Sequence, residues 1–255
     1  MKTLAVIPAR LGASRLPRKP LRLIGGVPLV VRVWERVSAM RVADEVVVAT
    51  DSDEIADALR RTDATVVLTD PTHPSGTDRV AEAAALPRYA RFDAIVNVQG
   101  DEPFVSETAV RGATDLVTSG RFPLGTAAAP ATARIMDSSH GVKVVTADDG
   151  RALYFSRAPI PWLRDPADAA ARDRIARQHI GVYAYTRDAL AAWVALPQHP
   201  LEQIERLEQL RPLAAGLAMG VATVSELPIG GVDTEDDLAR ANARWLELSA
   251  SGRDA

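Results

Sequence analysis

Residues 4–20 read LAVIPARLGASRLPRKP, and this stretch decides the fold. Four apolar residues come first, and prolines, arginines and small residues follow at once, which indicates a short buried strand that leads into a loop. From there to residue 98, strands predicted at 45–49, 65–68 and 94–98 alternate with helices predicted at 28–40, 53–61 and 78–85. Because apolar strands of this kind are buried on both faces, the pattern predicts a Rossmann-like three-layer α/β fold with a mainly parallel sheet.

Beyond about residue 120 the pattern changes, and strands predominate. The tetrapeptide ADDG at 147–150 separates two apolar stretches and predicts a β-hairpin. Proline, aspartate and alanine are frequent in 159–176, which we expect to be an exposed loop. The other predicted elements are strands at 124–129, 180–185 and 221–227, a charged helix at 201–211, and a last helix at 234–248 capped by Asp233 or Thr234. We therefore expect one domain over 1–255 with a β-rich insert at about 124–185.

Composition narrows the possible classes of function. With 255 residues, 47% of them hydrophobic and 25% charged, the chain is long enough to bury a sizeable core. Its net charge of −3 argues against a general nucleic-acid binder, which carries a basic excess. No apolar run approaches the roughly 18 residues of a membrane span, the N-terminus does not resemble a secretory signal, and cysteine is absent. We expect a cytoplasmic protein with no nucleic-acid partner, no membrane segment, no disulfide and no cysteine-bound zinc.

The loop that follows the first strand carries Arg10, Arg15 and Lys19 as candidate phosphate-binding cations. Open α/β sheets bind ligands beyond the carboxyl ends of their strands, which is where this loop begins. Position and charge together suit a triphosphate, and small side chains let backbone N–H groups approach phosphates at Ala9, Gly12, Ala13 and Ser14. Neither the P-loop pattern nor the dinucleotide-binding glycine pattern is present. The alternative is a solvated basic loop without a ligand.

Lysine is rare in this chain, because only Lys2, Lys19 and Lys143 among the 30 basic residues are lysines. A chain that uses arginine as its usual cation has few reasons to keep a lysine, so Lys19 and Lys143 mark positions where a compact ammonium is needed. Chance is the alternative. Lys143 interrupts an apolar strand and needs a partner there, and the candidates are a phosphate, a sugar or a buried acid.

The loop motif and eight later segments resemble the 3-deoxy-manno-octulosonate cytidylyltransferase family and follow the family's order. The segments are PARLGASRLPRKPL at 8–21, ATD at 49–51, PSGTDR at 74–79, VNVQGDEP at 96–103, VKVV at 142–145, YFSR at 154–157, HIGVY at 179–183, LEQLR at 207–211 and GVDT at 231–234. Together they cover nearly the whole chain and form a specific set, although no single segment is specific. The chain departs from the family at Arg18, where many relatives have glycine, and at His140-Gly141, where they have Asn-Ala.

The resemblance implies a nucleotidyltransferase with a glycosyltransferase-A-like fold that activates the acidic sugar 3-deoxy-D-manno-octulosonate (Kdo) with CTP, for lipopolysaccharide biosynthesis. The anomeric hydroxyl of the sugar would attack the α-phosphorus in line, giving CMP-Kdo and pyrophosphate. The resemblance also implies Mg²⁺ as the cofactor and a homodimer as the assembly. An 8-amino analogue of Kdo stays open as the sugar.

Nine residues are implied to bind the nucleotide: Ala9, Arg10, Arg15, Lys19, Ser75, Gly76, Thr77, Arg79 and Gln99. Lys19, Arg10 and Asp101 form the implied catalytic set. Asp101 and Asp233 are the implied metal ligands, since Mg²⁺ is usually held by one or two carboxylates together with phosphate oxygens. The residues alone leave ordinary alternatives open: a helix cap at Ser75 or Thr77, a cap or turn at Asp101, and a capping box formed by Thr234 and Asp237.

A Kdo-like sugar carries one carboxylate and many hydroxyls, so its site calls for an arginine fork and several mixed donors and acceptors. The resemblance places that site at Arg157, His179, Tyr183, Glu205 and Gln209, with Arg211 beside them. Each residue also has an ordinary interpretation. Arg157 suits an ion pair, His179 suits a strand position, and 205–211 suits a solvated helix face.

Three rival classes are less consistent with the motifs. CMP-sialic acid synthetases share a PAR-type loop but follow it with Gly-Gly-Ser-Lys, and sugar-1-phosphate nucleotidylyltransferases have a GTR-type loop; this chain has neither. A non-catalytic nucleotide-binding protein on the same fold would be expected to lose Lys19, Asp101 or Asp233, and all three are present.

Overall fold

The structure is a computed structural model that describes residues 1–12 and 15–251. Its strands are β1 Thr3–Ala9, β2 Leu23–Ile24, β3 Val27–Pro28, β4 Glu45–Thr50, β5 Thr65–Leu68, β6 Ala94–Asn97, β7 Leu124–Pro130, β8 Lys143–Thr146, β9 Ala152–Ser156, β10 Arg177–Thr186 and β11 Met219–Thr223. Its helices are α1 Leu29–Met40, α2 Asp53–Leu59, α3 Gly76–Ala85, α4 Glu107–Thr118, α5 Ala133–Met136, α6 Ala169–Ile175, α7 Arg187–Ala195, α8 Pro200–Glu205, α9 Leu210–Ala214 and α10 Glu235–Ala250.

Contacts divide the chain into two compact units. The first unit comprises Met1–Glu107 and Ile229–Ala255, and the second comprises Thr108–Pro228. The single domain with an insert at about 124–185 stays a prediction. None of the helices within the described ranges combines the length and the apolar content needed to cross a membrane.

The first unit is built on parallel strands in the order β6-β1-β4-β5. β1 lies between β4 and β6, which explains why its residues Leu4 to Ile7 are fully buried and wholly apolar. Because β1 and β6 run parallel as neighbours, the residues that follow them emerge at the same edge of the sheet. The topology therefore brings the loop after Ala9 and the segment after Asn97 together, as the sequence predicted.

Polar caps start α2, α3 and α10 of the first unit. Ser52 accepts a hydrogen bond from the backbone N–H of Ile55 at the start of α2, and Ser75 accepts one from Asp78 at the start of α3. Thr234 caps α10 in a reciprocal capping box with Asp237. The predicted cap of the last helix is thus confirmed at Thr234, and its side chain satisfies an N–H group that the helix leaves unpaired.

A small hairpin of β2 and β3, which was not predicted from the sequence, lies between the first loop and α1. Gly25 and Gly26 form its turn with φ of 55° and 78°, a backbone conformation that suits glycine. The side chain of Asn242 on α10 accepts from the Gly25 N–H and donates to the Leu23 carbonyl, both at 3.0 Å. The last helix of the chain therefore holds the hairpin that follows Lys19.

The second unit mixes parallel and antiparallel pairs. β11 pairs with β7 in parallel, while β7 and β10 pair antiparallel. The hairpin predicted around 147–150 is confirmed as β8 and β9, which pair antiparallel, and β8 also pairs with β10. Gly150 has a φ of 86° in the turn between them.

Two predicted elements of the second unit need correction. The expected exposed loop at 159–176 is exposed, but it contains a 3-10 turn at Pro166–Asp168 and helix α6, because Asp165 caps the turn and three alanines favour a helix. The expected continuous helix at 201–211 is two helices, α8 and α9, separated at Arg206 with a φ of 54°. The predicted last strand ends at Thr223 rather than continuing to 227.

Two further helices of the second unit, α4 and α7, were not predicted. α4 buries Ala109, Val110, Ala113, Leu116 and Val117 at helical spacing, so its amphipathic period was readable from the sequence. α7 begins at the cap Thr186 and buries Trp193.

Candidate functional site

A cavity of about 310 Å³ opens beyond the carboxyl ends of β1 and β6 in the first unit. Nearly all the residues predicted to handle the triphosphate, the base and the metal line it. They are Ala9, Arg10, Arg15, Lys19, Ser75, Gly76, Arg79, Gln99, Asp101 and Asp233, together with Pro8, Gly12, Leu16, Pro20 and Gly100. Ala13 and Ser14 were also predicted to face phosphates, and they lie outside the described residues.

Lys19 joins the two predicted metal carboxylates at the floor of this cavity. Its ammonium donates to Asp101 Oδ2 at 2.5 Å and to Asp233 Oδ1 at 2.9 Å. Arg15 donates to the other oxygen of Asp233 at 2.9 Å. The backbone helps to bring the acids together, because the Val232 N–H donates to the Asp101 carbonyl at 2.9 Å. Two acids from distant parts of the chain thus face one cation position.

A tight turn positions Lys19. Arg18 adopts the left-handed conformation with a φ of 55° and a ψ of 33°, and the 3-10 turn Lys19–Leu21 follows. This conformation is the one that glycine adopts most easily, and Arg18 adopts it here. Both amino groups of the Arg18 guanidinium bind the carboxylate of Glu54, so Arg18 makes a surface ion pair rather than pointing freely into solvent.

Electrostatics link the charged groups of the site. Burial alone lowers the pKa of Lys19, but the carboxylates of Asp101 and Asp233 outweigh burial and raise it, so the ammonium stays charged. For Glu102, burial and the charges of the two aspartates shift the pKa in the same direction. Burial first, and then the charges of Asp101 and Asp233, raise the pKa of the Glu102 carboxyl to about 8. Glu102 is therefore mostly protonated at neutral pH, next to two carboxylates that are engaged with Lys19.

The segment 75–79, which is predicted to bind the nucleotide, has a structural task as well. Ser75 and Gly76 line the cavity at the start of α3, while Thr77 is 4% exposed in the first turn of that helix. Arg79 is 2% exposed, and its guanidinium donates to Asp51 at 3.0 Å and to Thr69. Neither Asp51 nor Thr69 was predicted to belong to the site, although Asp51 ends the ATD segment at 49–51; no motif marks Thr69.

The opposite wall depends on a close backbone approach. A Cβ atom at Gly100 would lie 2.5 Å from the carbonyl oxygen of Pro8, so the ends of β1 and β6 leave no room for a side chain there. Gln99 lines the cavity directly before this glycine. The glycine in the NVQGDEP motif therefore lets Gln99 and Asp101 flank the loop of the first strand.

The carboxylates of Asp101 and Asp233 fit a magnesium ion by donor type, since hard oxygen ligands are what Mg²⁺ prefers. They also converge on one cation position, where the Lys19 ammonium lies. Within residues 1–12 and 15–251, no group of three or more His, Cys, Asp or Glu side chains has an arrangement that would hold a metal ion. A metal bound by this pair would need further oxygen ligands, and phosphate oxygens are of the right kind.

The second unit contains the residues predicted for the sugar. The Glu205 carboxylate accepts from the Ser156 hydroxyl at 2.6 Å and from the Arg157 backbone N–H at 2.9 Å. The Arg157 guanidinium donates to four backbone carbonyls, those of Ser139, His140, Glu205 and Arg206. The structure therefore brings Arg157 and Glu205 together, and the guanidinium contacts backbone carbonyls rather than forming the ion pair that was the ordinary alternative.

His179 and Tyr183 lie in a second, aromatic part of this region. The His179 ring is 5.0 Å from the Phe155 ring and 5.5 Å from the Tyr183 ring. Burial lowers the pKa of His179 to about 3, and burial also raises the pKa of Tyr183 well above its usual value. Both side chains are therefore neutral at physiological pH.

One hydroxyl selects the tautomer of His179. Thr126 Oγ1 lies 2.7 Å from the Val182 carbonyl and 2.9 Å from His179 Nε2. A hydroxyl has one proton, which goes to the carbonyl oxygen, so the hydroxyl oxygen accepts from Nε2–H. His179 Nδ1 is then the acceptor nitrogen of the ring.

Two other residues of the predicted sugar region are buried. Gln209 is 4% exposed. Arg211 forms a two-point ion pair with Glu202, at 2.8 and 2.6 Å, in which both residues are buried. This ion pair explains why the predicted helix breaks at Arg206, because it holds α9 against α8. Arg211 thus has a structural role, and the sequence offered no signal that Glu202 would be its partner.

Comparison with known proteins places this chain in a family. Residues 4–220 match the Cytidylyltransferase family. A 3-deoxy-manno-octulosonate cytidylyltransferase of Gemmatimonas aurantiaca is 60% identical over 255 residues, covering 100% of this chain and 98% of the relative. The enzyme with that name from Polynucleobacter asymbioticus is 47% identical over 93% of both chains.

A solved structure agrees with the sequence relatives. CMP:2-keto-3-deoxy-manno-octonic acid synthetase complexed with CTP superposes with a TM-score of 0.89 at 35% identity, covering 97% of this chain and 99% of the other. This confirms the predicted three-layer α/β nucleotidyltransferase fold. The chain therefore belongs to the 3-deoxy-manno-octulosonate cytidylyltransferase family and is a nucleotidyltransferase.

Proposed function

We propose that this enzyme transfers the cytidylyl group of CTP to the anomeric C2 hydroxyl of Kdo, releasing pyrophosphate and supplying CMP-Kdo for lipopolysaccharide. One observation carries the proposal: the contact of Lys19 with Asp101 and Asp233 in the cavity beyond β1 and β6. The names of the full-length relatives and the CTP bound in the related structure support it.

The cations of the cavity have the task of neutralising the triphosphate. Arg10 is exposed at the cavity wall, Arg15 reaches Asp233, and Lys19 carries a raised pKa that keeps it charged. Nucleotidyl transfer needs mainly positioning and charge neutralisation, because the phosphorus chemistry itself requires little from the protein. Lys19, Arg10 and Asp101 therefore form the proposed catalytic set, with Ala9, Ser75, Gly76, Thr77, Arg79 and Gln99 shaping the nucleotide pocket.

Asp101 and Asp233 are the proposed ligands of Mg²⁺, and Lys19 lies on the same carboxylate oxygens. When bound, Mg²⁺ supplies positive charge at phosphate oxygens and lowers the pKa of a coordinated hydroxyl. Asp101 and Asp233 orient their oxygens toward one point, and Lys19 provides an ammonium in the same cavity for the phosphates. No side chain in this set is needed as a base if the sugar hydroxyl is activated in this way.

The second unit supplies the proposed sugar ligands. Arg157 offers a cation for the sugar carboxylate, while Glu205, Gln209, Tyr183 and the acceptor Nδ1 of His179 offer donors and acceptors for hydroxyls. A neutral imidazole suits a hydroxyl ligand, since it can accept a hydrogen bond without adding charge.

The enzyme is further proposed to be a cytoplasmic homodimer, as the family resemblance implies. Light scattering should then give twice the chain mass of 27.3 kDa at micromolar concentration. A mass equal to one chain over the whole range of assay concentrations would contradict the dimer.

The proposed activity is tested by pyrophosphate release. Purified enzyme is assayed with CTP, UTP, ATP and GTP, each with Kdo and with sialic acid, in Mg²⁺ and again in EDTA. The proposal predicts fast release with CTP and Kdo, much slower release in every other pair, and none in EDTA. Absence of release with CTP and Kdo in Mg²⁺ would refute the proposed reaction, whereas release in EDTA would refute only the metal.

A further inference from the structure

Lys143 has no role in the chemistry proposed above, yet it is the most deeply buried cation of the second unit. Its exposed fraction is 0%, and it is one of only three lysines in a chain with 30 basic residues. Among the described residues, no acidic side chain contacts its ammonium. Instead, the ammonium donates to three backbone carbonyls: Ser138 at 2.7 Å, Gly141 at 2.6 Å, and Arg157.

Three carbonyls match the three N–H donors of an ammonium, which explains why lysine rather than arginine occupies this position. A planar guanidinium carries five donors in a fixed fork and would not satisfy three converging oxygens in the same space. Lys143 lies at the start of β8 and connects it to the end of β9, where Arg157 follows Ser156.

Arg157 completes the pattern on the same loop. Its guanidinium donates to the carbonyls of Ser139 and His140, the two residues between the Lys143 acceptors Ser138 and Gly141. All four carbonyls of the loop 138–141 are thus directed at two cations. The conformation of this loop depends on Lys143 and Arg157 together.

The charge in this cluster does not balance. Lys143 and Arg157 contribute two positive charges, and Glu205, which accepts from the Arg157 N–H and the Ser156 hydroxyl, contributes one negative charge. Burial first, and then the Arg157 cation, lower the pKa of Lys143, whereas Glu205 raises it. A further anion beside this cluster would therefore be stabilised, because a buried cation gains most from a new counter-charge.

We propose that Lys143 is a positioning and specificity residue for the acidic sugar: it fixes the loop 138–141 and Arg157, and its charge favours a substrate with a carboxylate. The inference rests on the proposed function, since it assumes that Arg157 meets the sugar. Lys143 itself stays buried and does not touch the substrate. It acts on the sugar indirectly, because it holds Arg157 in position and because its positive charge attracts the sugar carboxylate.

The test compares K143M with the wild type and with the matched control K2M, in which an exposed lysine is changed in the same way. Steady-state kinetics give kcat and the KM values for Kdo and CTP, below the Tm of each protein. The Ki of the neutral C1 amide of Kdo, used as a competitive inhibitor, is measured in parallel. The ratio of this Ki to the KM for Kdo reports how strongly the enzyme prefers a carboxylate.

K143M is expected to raise the KM for Kdo at least tenfold, to leave the KM for CTP within about twofold, and to lower the carboxylate preference at least fivefold. K2M should match the wild type in all three. An unchanged preference in K143M would overturn the proposal even if both sugar affinities fall, because a purely structural defect weakens the acid and the amide equally. An unchanged KM for Kdo would overturn it as well.

If K143M yields no folded protein by circular dichroism, K143Q replaces it, because glutamine removes the charge and keeps N–H donors for the backbone carbonyls. A carboxylate preference at least fivefold lower in K143Q supports the role of the charge, and an unchanged preference contradicts it. Failure of the wild type to use Kdo at all would refute the proposed function instead. The two failures are therefore distinguishable.

Discussion

Lys19 shows how much one side chain decides at this site. Its ammonium is held by Asp101 at 2.5 Å and by Asp233 at 2.9 Å, so it already occupies the position where the two carboxylates favour a cation. The two acids would repel each other without it, and their charges also add to the effect of burial in raising the pKa of the neighbouring Glu102. The site thus has strong local charge in a protein whose net charge is only −3.

Changing Asp101 to Asn removes one of the two converging carboxylates while keeping the shape of the side chain. We expect D101N to lower kcat by about 10²–10³-fold at saturating Mg²⁺, because a group that aligns charge at the reacting phosphate acts mainly in the transition state. The control is D236N, which changes an exposed acid in the first turn of α10. Near-native turnover by D101N would remove Asp101 from the catalytic set.

Glu102 gives a prediction for pH and stability. Its pKa rises from 4.5 to about 8 on folding, so between these values the folded protein holds a proton that the unfolded chain releases. Stability therefore falls as pH rises through this window, and E102Q removes the fall. In EDTA, the Tm of E102Q minus that of the wild type should grow by at least about 3 °C from pH 5 to pH 8. A difference that does not change with pH would show that Glu102 titrates normally.

At the residue scale, the sequence predicted which charged residues lie in the cavity better than it predicted the ion-pair partners of the arginines. Lys19, Asp101 and Asp233 were named from motifs, and the structure brings them into contact. The Glu54 partner of Arg18 and the Glu202 partner of Arg211 were not foreseen. Pairing depends on how separate elements pack, and a single sequence contains no spacing rule for such contacts.

At the scale of elements, the hairpin of β2 and β3 and helix α10 hold the turn that carries Lys19. Arg22 forms a two-point contact with Glu235, at 2.7 and 2.8 Å, and the Arg32 guanidinium stacks 3.7 Å from the centre of the Trp245 ring. Asp233 lies directly before Thr234, the cap residue of α10. The hairpin contacts therefore fix Lys19 and Asp233 against a common helix.

Two adjacent glycines allow a matched test of this packing. Gly25 and Gly26 both have positive φ, but a Cβ at Gly25 would lie 2.3 Å from Trp245 Cδ1, whereas a Cβ at Gly26 meets nothing within 4 Å. We expect G26A to lower the free energy of unfolding by about 1–2 kcal/mol through backbone strain alone, and G25A by roughly 1–2 kcal/mol more.

Urea unfolding of both variants measures these free energies. The informative quantity is the difference between G25A and G26A, since the backbone strain is common to both and cancels. Equal losses would show that Trp245 moves aside without cost and that the hairpin is not packed against α10 as described.

At the element scale, the strands and helices with a strong local sequence pattern were predicted most accurately. β5 at Thr65–Leu68 and the start of β4 at Glu45 were predicted to the residue, because continuous apolar runs bounded by polar residues have one interpretation. The helix predicted over 201–211 failed because the left-handed Arg206 is imposed by the Glu202–Arg211 ion pair, which lies across the break. A tertiary contact there overrides the local helical preference.

At the scale of the whole molecule, the motifs are spread along the chain, from Pro8 in the first strand to Asp233 before the last helix. The cations and acids proposed for the nucleotide belong to the first unit, and the residues proposed for the sugar belong to the second. The full-length match to cytidylyltransferases explains why motifs from both units occur together. The order of the motifs, rather than any one of them, identified the family.

The most direct test of the account is the identity of the product. Enzyme, CTP, Kdo and Mg²⁺ are incubated together, and ³¹P NMR follows the phosphorus signals while mass spectrometry identifies the nucleotide sugar. The account predicts equal amounts of pyrophosphate and of a CMP-Kdo phosphodiester, with none formed by D101N on the same time scale. Absence of the phosphodiester with Kdo, or equal formation with sialic acid in its place, would contradict it.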